Sequence, residues 1–492
     1  MKLSINTKLI LAILGFVSMI LGVTMFIGFV VSLICEEPKM TGIFLSLTLI
    51  LTIMGFLVFR YSRKIIITQT IRIREGIIAV TACWFFTAAL GTLPYLLAGS
   101  HHSFIDAFFE STACITTSGA TLIDNLAELP RSLLFWRQLT NWFGGVGIIV
   151  FTITIMPLLG FGAANLASAE MTIQTLEKIQ TRVTDTARII VTFFLALTGV
   201  QVLLLLIGGI GVYDSFVIAF CSMGNGGFAI YQINSILQGN LYVEVIVSIF
   251  CIIASLSFVS YQLLLKGRVR DFFKEAEIRI YLFMLFTVCL LVFFILLKSG
   301  IYSTTAETLR YGIFQTVSFV TTAGYSISNV GIWPQAVHWL LIGVMIIGGC
   351  SGSTSGGVRV VRAAVVVSII RRNIYKKLHP NAVVAVRLGD RVIPEERVAS
   401  ISTFFLLYAL IVLISCFVLS FENLDTETTL GTVIAMLSNT GLVIGPGINY
   451  GESFGIFSQF SRLYMSVLMI TGRLEILTIV LLFSPAFWRA NR

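Results

Sequence analysis

The sequence predicts an all-α polytopic membrane protein. An N-terminal two-helix hairpin comes first, then four repeats of membrane span, pore helix and second span in a pseudo-fourfold arrangement. Composition is the first observation behind this reading: 57% of the 492 residues are hydrophobic, 12% are charged, and the mean hydropathy is +0.95. A helical span needs ~20 mostly apolar residues, and about ten stretches qualify. The second observation is a short pattern that occurs four times, a Thr or Asn followed by a small residue, a Gly and an apolar or aromatic residue. Its copies are Thr117-Ser118-Gly119-Ala120, Asn225-Gly226-Gly227-Phe228, Thr322-Ala323-Gly324-Tyr325 and Asn439-Thr440-Gly441-Leu442. Their glycines lie 108, 97 and 117 residues apart, room for two crossings and a re-entrant segment. Third, Asp106 and Asp214 each stand thirteen residues before their glycine, which marks internal repetition.

The pattern suits cation selection. Backbone carbonyls in rings can replace the hydration shell of a monovalent cation. Glycine lets the backbone turn its carbonyls toward an axis, and a preceding hydroxyl or amide can brace the loop or add oxygens. The expected filter therefore comprises Thr116, Thr117, Ser118 and Gly119; Gly224, Asn225, Gly226 and Gly227; Thr321, Thr322, Ala323 and Gly324; and Ser438, Asn439, Thr440 and Gly441.

In chain order, residues 1–75 form the accessory hairpin and a loop. Its spans, about 9–34 and 41–59, flank Glu36-Glu37-Pro38-Lys39. The run after Lys8 is far longer than a signal-peptide core of ~7–15 residues and reads as a first span. Arg60, Arg63, Lys64, Arg72 and Arg74 place the following loop in the cytoplasm, and the N-terminus with it.

Repeat 1 covers 76–188, with spans at about 76–98 and 134–159. Ser103-Phe104-Ile105-Asp106 has the form of a capping box opening a helix to about Thr116, too short to cross, whose C-terminal end favours a cation. Asn141-Trp142-Phe143-Gly144-Gly145-Val146-Gly147 resembles a dinucleotide loop but lacks the βαβ context and reads as close helix packing. Residues 163–188, with Glu177, Lys178, Arg182 and Arg188, read as cytoplasmic. Repeat 2 covers 189–279, with spans near 189–212 and 241–265, a pore helix opening at Asp214-Ser215, and a basic loop from Lys266 to Arg279.

Repeat 3 covers 280–398. Its span at about 280–298 leads to a cap at Thr304–Glu307. The second crossing is interrupted by Gly348, Gly349, Cys350, Ser351, Gly352, Ser353, Thr354, Ser355, Gly356 and Gly357. Non-helical backbone at membrane depth is tolerated only where it is buried or lines water, so this stretch is expected to form a gate beneath the filter. It is no P-loop, because no Lys-Ser/Thr follows the glycines. The basic segment 371–397 contains a small hairpin turning at Gly389-Asp390, either a solvated loop or a docking surface for a cytoplasmic partner.

Repeat 4 covers 399–492, with a span at about 399–420, a pore helix at about Thr426–Leu437 and a last span at about 461–485. That span holds Gly472-Arg473-Leu474-Glu475. Charged residues within a span face a cavity or pair, so Arg473 reads as a gating barrier, as half of a buried structural ion pair or as a snorkelling side chain. Arg489 and Arg492 place the C-terminus in the cytoplasm. Acidic residues on the outer side, among them Asp106, Glu110, Asp124 and Glu128, would concentrate cations.

Other function classes are weaker. Eight scattered cysteines and four histidines contain no Cys-x-x-Cys and suggest neither a disulfide framework nor a metal centre. The net charge of +9 lies in loops on one side of the membrane, which is topology rather than nucleic-acid recognition. An intramembrane enzyme would need a nucleophile with a base, or metal ligands, at depth. An alternating-access symporter coupled to sodium or protons would show twofold rather than fourfold repetition.

Over nearly its whole length the chain resembles the Trk/Ktr/HKT-type potassium transporters, and most closely their TrkH branch with its additional N-terminal helix pair. The resemblance rests on Ile115–Thr121, Trp142–Ile148, the 348–357 stretch with Arg359, the 379–393 segment and Gly472–Glu475. It implies potassium as substrate, and glycine at all four filter positions accords with that. It maps the intramembrane gating loop onto 348–357 and the pore-facing gate arginine onto Arg473. It further implies a homodimer in the lipid of a bacterial plasma membrane, regulated by a cytoplasmic nucleotide-binding ring of the TrkA type. ATP, ADP or NAD would act only through that partner, since no nucleotide site is evident in this chain. Gly224–Gly227 is richer in glycine than the family pattern, and Gly445-Pro446-Gly447 offers a second register for the fourth filter.

Overall fold

The computed structural model describes residues 6–66, 73–154, 183–227, 237, 239–389, 391–447 and 453–488. Phe228, Arg72, Asp390, Arg489, Arg492 and most of the 163–188 loop lie outside the described residues.

Helices dominate the fold. Among the described residues, those long and apolar enough to cross a membrane are α1 (Thr7–Ile34), α2 (Pro38–Ile66), α3 (Ile73–Gly91) with its short continuation α4 (Leu93–Ala98), α7 (Val183–Ile207), α12 (Ala276–Ser299) and α16 (Glu395–Leu419). Their outward faces carry large apolar side chains, such as Phe283 at 72% and Leu406 at 72% exposure, as lipid contact requires. Between them run further helices, most of them shorter: α5 (Phe104–Ile115), α6 (Arg131–Thr154), α8 (Val212–Gly224), α9 (Leu241–Ser255), α13 (Thr305–Val320), α14 (Gln335–Ile347), α15 (Val360–Leu378), α17 (Thr426–Leu437), α18 (Gln459–Arg473) and α19 (Ile476–Phe483).

The α1–α2 hairpin closes on small residues. A Cβ at Gly22 would lie 2.8 Å from the Thr52 nitrogen, and one at Gly55 would lie 2.6 Å from the Gly15 oxygen. Without a hydrophobic drive between helices in lipid, such close approach supplies the packing. Glu37 fastens the hairpin to the core: its carboxylate accepts from the Arg131 and Ser132 amides at the start of α6, two of the unpaired donors at that helix N-terminus.

Two expected spans are discontinuous. The stretch expected to cross at 241–265 is helical only to Ser255, breaks at 256–260 and resumes as α10 (Tyr261–Leu265). The expected last span, 461–485, bends by 114° between α18 and α19, where Glu475 takes a φ of +64°. The stretch 348–359 likewise separates α14 from α15.

The ends of the short helices follow from local sequence. Thr304 and Glu307 make both halves of the expected capping box. Ser103 caps α5, but Asp106 does not reciprocate; it binds Arg462 Nη1 at 2.6 Å. That pair belongs to a set. Each of α5, α8, α13 and α17 is tied near its start to the helix that follows the neighbouring short helix. Besides Asp106–Arg462, Arg310 holds Glu244 with two bonds of 2.6 and 2.7 Å, and Tyr213 donates to the Arg131 carbonyl at 2.7 Å. His338 Nδ1 meets Glu427 at 2.7 Å and its Nε2 meets the Val330 carbonyl at 2.8 Å. Both His338 nitrogens thus face oxygen atoms, one on a side chain and one on the backbone.

Glu110 of α5 and Arg137 of α6 form a fully buried pair at 2.7 Å, and Glu110 also accepts from Thr121 and the Leu122 amide. β1 (Arg387–Leu388) and β2 (Arg391–Val392) pair antiparallel as the expected hairpin.

Removing one partner of a buried ion pair leaves an uncompensated charge and costs about 3–5 kcal/mol. Arg137→Met should therefore lower the thermal midpoint of the detergent-solubilised protein sharply. The double variant with Glu110→Gln should recover much of the loss.

Candidate functional site

The four segments end four short helices in one way. In each, the amide two residues before the repeated glycine bonds three residues back, and the next amide bonds five back. The longer bonds are Ser118 to Ala113 at 2.9 Å, Gly226 to Cys221 at 3.2 Å, Ala323 to Ser318 at 2.9 Å and Thr440 to Ala435 at 2.9 Å. This is the Schellman closure, in which a left-handed residue ends the helix. That residue is Thr117, Asn225, Thr322 and Asn439, with φ between +52° and +57°. Asparagine tolerates such a conformation; a β-branched threonine rarely adopts it. Neighbours hold it there: the Thr322 hydroxyl accepts from the Gly356 amide at 2.8 Å. Asn225 donates to Ser255, Thr354 and Ser355 at 3.0–3.2 Å.

Gly119, Gly227, Gly324 and Gly441 then meet in a closed ring. A Cβ on Gly119 would lie 2.5 Å from the Gly226 oxygen. One on Gly227 would strike the Ala323 oxygen, one on Gly324 the Thr440 oxygen and one on Gly441 the Ser118 oxygen. Each glycine thus abuts the carbonyl preceding the next one, and the fourth returns to the first. All four have positive φ, so both conformation and space demand glycine. Gly445 packs against Thr428 at the start of α17 instead, so Gly441 is the one that completes the ring.

The hydroxyls of Thr116, Thr321 and Ser438 bond back to Thr112, Val317 and Ile434; they brace the helix ends. Gly224 stands at the equivalent place in the second segment because Asn141 occupies that space: a Cβ on Gly224 would lie 2.5 Å from Asn141 Nδ2, and one on Gly226 would overlap its carboxamide. The extra glycines make room for Asn141. Gly144 approaches the Ile115 carbonyl as closely, which is the helix packing expected of 141–147. Asn439 is buried, and neither of its carboxamide atoms has a hydrogen-bond partner among the described residues.

Directly beneath lies 348–357, pinched at its neck. Gly348 abuts Gly356 and Gly357, and the Val358 and Arg359 amides bond to Ile346 and Ile347 at 2.8 Å. Gly356 presses on the Ser438 carbonyl. Ser355 bonds to the Thr321 carbonyl and to Ser255, both at 2.7 Å. The Cys350 and Thr354 amides bond to Ser255 and Ala254, and the Gly352 carbonyl accepts from Phe258. The break in the α9–α10 crossing is therefore the surface on which this loop lies. Ser353 bonds within the loop to Cys350, Arg359 reaches back to the Ser355 carbonyl at 2.7 Å, and Ser351 donates to Glu277.

Arg473, 3% exposed, crosses beneath the ring. Its Nη1 bonds the Thr354 carbonyl at 2.9 Å and its Nη2 reaches the Gly144 carbonyl at 3.4 Å. The neighbouring Glu475 pairs with Arg362 at 2.7 Å, and Arg362 stacks over Phe404. A small cavity lined by Gly357, Arg359, Gly472 and Arg473 adjoins them. Among the described residues Arg473 has no carboxylate partner, and the ion pair here is that of Glu475 with Arg362.

At the opposite mouth, burial lowers His101 below the usual histidine range while Glu110 and Asp106 oppose it. Burial would raise Glu422, but hydrogen bonds from Ser458 and Ser461 and the charge of Arg462 outweigh it and keep it ionised.

Ser255, Glu277 and Asn141 belong to this constellation, yet nothing in the linear sequence marks Ser255 or Glu277. Asn141 at least precedes a glycine cluster.

A family model for TrkH, described as cation transport protein, matches residues 41–490. The chain is 32% identical over 420 residues to the Trk system potassium uptake protein TrkH of Escherichia coli K12, spanning 85% of this chain and 86% of that protein. Against its namesake from Halomonas elongata the identity is 31% over 98% of this chain and the whole of the relative. The crystal structure of the potassium transporter TrkH from Vibrio parahaemolyticus superposes with a TM-score of 0.89 at 29% identity, covering 98% of this chain and all of that one.

Losing a buried acceptor costs about 1–3 kcal/mol. Thr322→Val, which orphans the Gly356 amide, should lower the melting temperature, and Thr322→Ser should restore it.

Proposed function

The chain belongs to the TrkH family of cation transport proteins, and from that premise we propose that it takes up potassium through a channel-like pore of a bacterial inner membrane. The observation that carries this reading is the closed ring of Gly119, Gly227, Gly324 and Gly441 with the carbonyls between them. Carbonyl dipoles in such a ring replace the hydration shell of a potassium ion. Four helix C-termini end at the ring and add partial negative charge beneath a cation. The names of the relatives, potassium uptake proteins, point to the same ion.

The 348–357 loop and Arg473 are the gate. The loop lies against the ring from below, and a buried guanidinium on the ion path opposes a cation electrostatically. Opening requires Arg473 to release the Thr354 and Gly144 carbonyls and the loop to leave Ser255. On this reading the four units are the repeats, the β1–β2 hairpin faces the cytoplasm with both termini, and the protein works as a homodimer. A cytoplasmic regulatory ring of the TrkA type binds there, and ATP, ADP or NAD acts through that ring. The chain acts as a transporter rather than an enzyme.

Rubidium uptake into liposomes holding the purified protein, with potassium and sodium as competitors, tests the reading. Potassium should block uptake and sodium should scarcely compete. Gly119→Ser forces the Gly226 carbonyl aside and should reduce potassium-over-sodium preference at least about tenfold, ~1.4 kcal/mol; an unchanged ratio refutes the filter. Arg473→Ala should raise flux in the absence of any partner.

A further inference from the structure

The loop at 348–357 has little conformational preference of its own, since half of its ten residues are glycine. Its shape at membrane depth depends on who satisfies its peptide groups. Most of those partners come from one place, the end of α9 at Ala254–Phe258, or from the loop itself through Arg359. The Ser351 amide is different. It donates to Glu277 Oε1 at 2.5 Å, on a separate helix 74 residues away. Glu277 stands in the first turn of α12, and Arg359 at the loop neck lies within its field.

The same turn of α12 touches the β1–β2 hairpin. A Cβ on Gly389 would lie 3.2 Å from Ala276 Cβ. Glu275 accepts from Ser260 and lies in the field of Arg391. On its other side the hairpin buries Val386 and Ile393 with Val361 and Val365 of α15, which begins where the loop ends, and with Val398 and Ile401 of α16. The hairpin thus bears on both the helix that follows the loop and the helix that grips it.

We propose that Glu277 is the positioning residue that latches the intramembrane loop closed, accepting the Ser351 amide, and that movement of the 386–393 hairpin reaches the gate through it. The proposal rests on the reading of 348–357 as the gate. A carboxylate that merely favoured its helix N-terminus would need its charge and not its reach. A latch needs an acceptor oxygen at one distance.

Two conservative variants separate these roles. Glu277→Gln keeps the oxygen and loses the charge. Glu277→Asp keeps the charge and falls short by one methylene. Both are assayed with Glu277→Ala and a loop-shortened variant, by rubidium flux into liposomes and by the labelling rate of native Cys350, read by mass spectrometry. Cys350 is fully buried beside Ser351, so its labelling reports loop release without reference to flux. The latch predicts that E277D and E277A raise flux and Cys350 labelling at least about fivefold while E277Q stays within about twofold of wild type. Wild-type behaviour of E277D and E277A beside a leaking loop-shortened variant overturns the latch and leaves the gate standing. So does a leak in E277Q equal to that in E277A. A loop-shortened variant that does not leak overturns the gate reading and the latch with it.

Discussion

Four peptide carbonyls approach one axis so closely that no side chain fits between them, and the rest of the molecule serves that approach. The glycines of the ring cannot carry a Cβ without striking the next carbonyl. The backbone reaches them only through a left-handed residue at each helix end. Two of those residues are threonines, whose branched Cβ makes the conformation costly by ~1–2 kcal/mol. Such strain persists only where the surroundings over-determine it. Here the surroundings are four Schellman closures and the polar partners beneath them, Thr322 to Gly356 and Asn225 to Ser255, Thr354 and Ser355.

Holding four separate helix ends in register needs ties from each short helix to its neighbours. The polar contacts at the starts of α5, α8, α13 and α17 supply these at all four seams. Their chemistry differs from seam to seam, with an Asp–Arg pair, a Tyr to a carbonyl, a Glu–Arg fork and a His–Glu pair. The position is shared and the residues are not. A covalently linked ring permits this, because each seam joins two particular surfaces and need not repeat its neighbour.

Beneath the ring the helical ladder is interrupted in three crossings, at 256–260, 348–359 and 474–475. Interruptions at membrane depth are costly unless their peptide groups find partners in protein or water. These three largely satisfy one another: the loop lies on Ala254 and Ser255, Arg473 takes the Thr354 carbonyl, and Arg362 holds Glu475. A mutually satisfied set can exchange partners together, which is what a movable element requires.

Much of this was legible in the chain. Apolar runs showed the helices because lipid demands ~20 apolar residues per span, and two of the short helices were bounded by caps at Ser103 and Thr304. The fourfold pattern identified the ring glycines because positive φ and lack of space admit almost nothing else. The tertiary structure alone decided the partners. Asp106 reads locally as the second half of a capping box but is claimed by Arg462, 356 residues away. The break after Ser255 looks like continuous span because apolar periodicity records burial and not helical hydrogen bonding. Gly224 and Gly226 look like an irregular repeat until Asn141 fills the space beside them. Sequence determined which segments are helical and where only glycine fits, since those depend on local sterics and transfer to lipid. Which carboxylate meets which guanidinium, and which helix grips the loop, depends on surfaces that meet only once the chain has closed on itself.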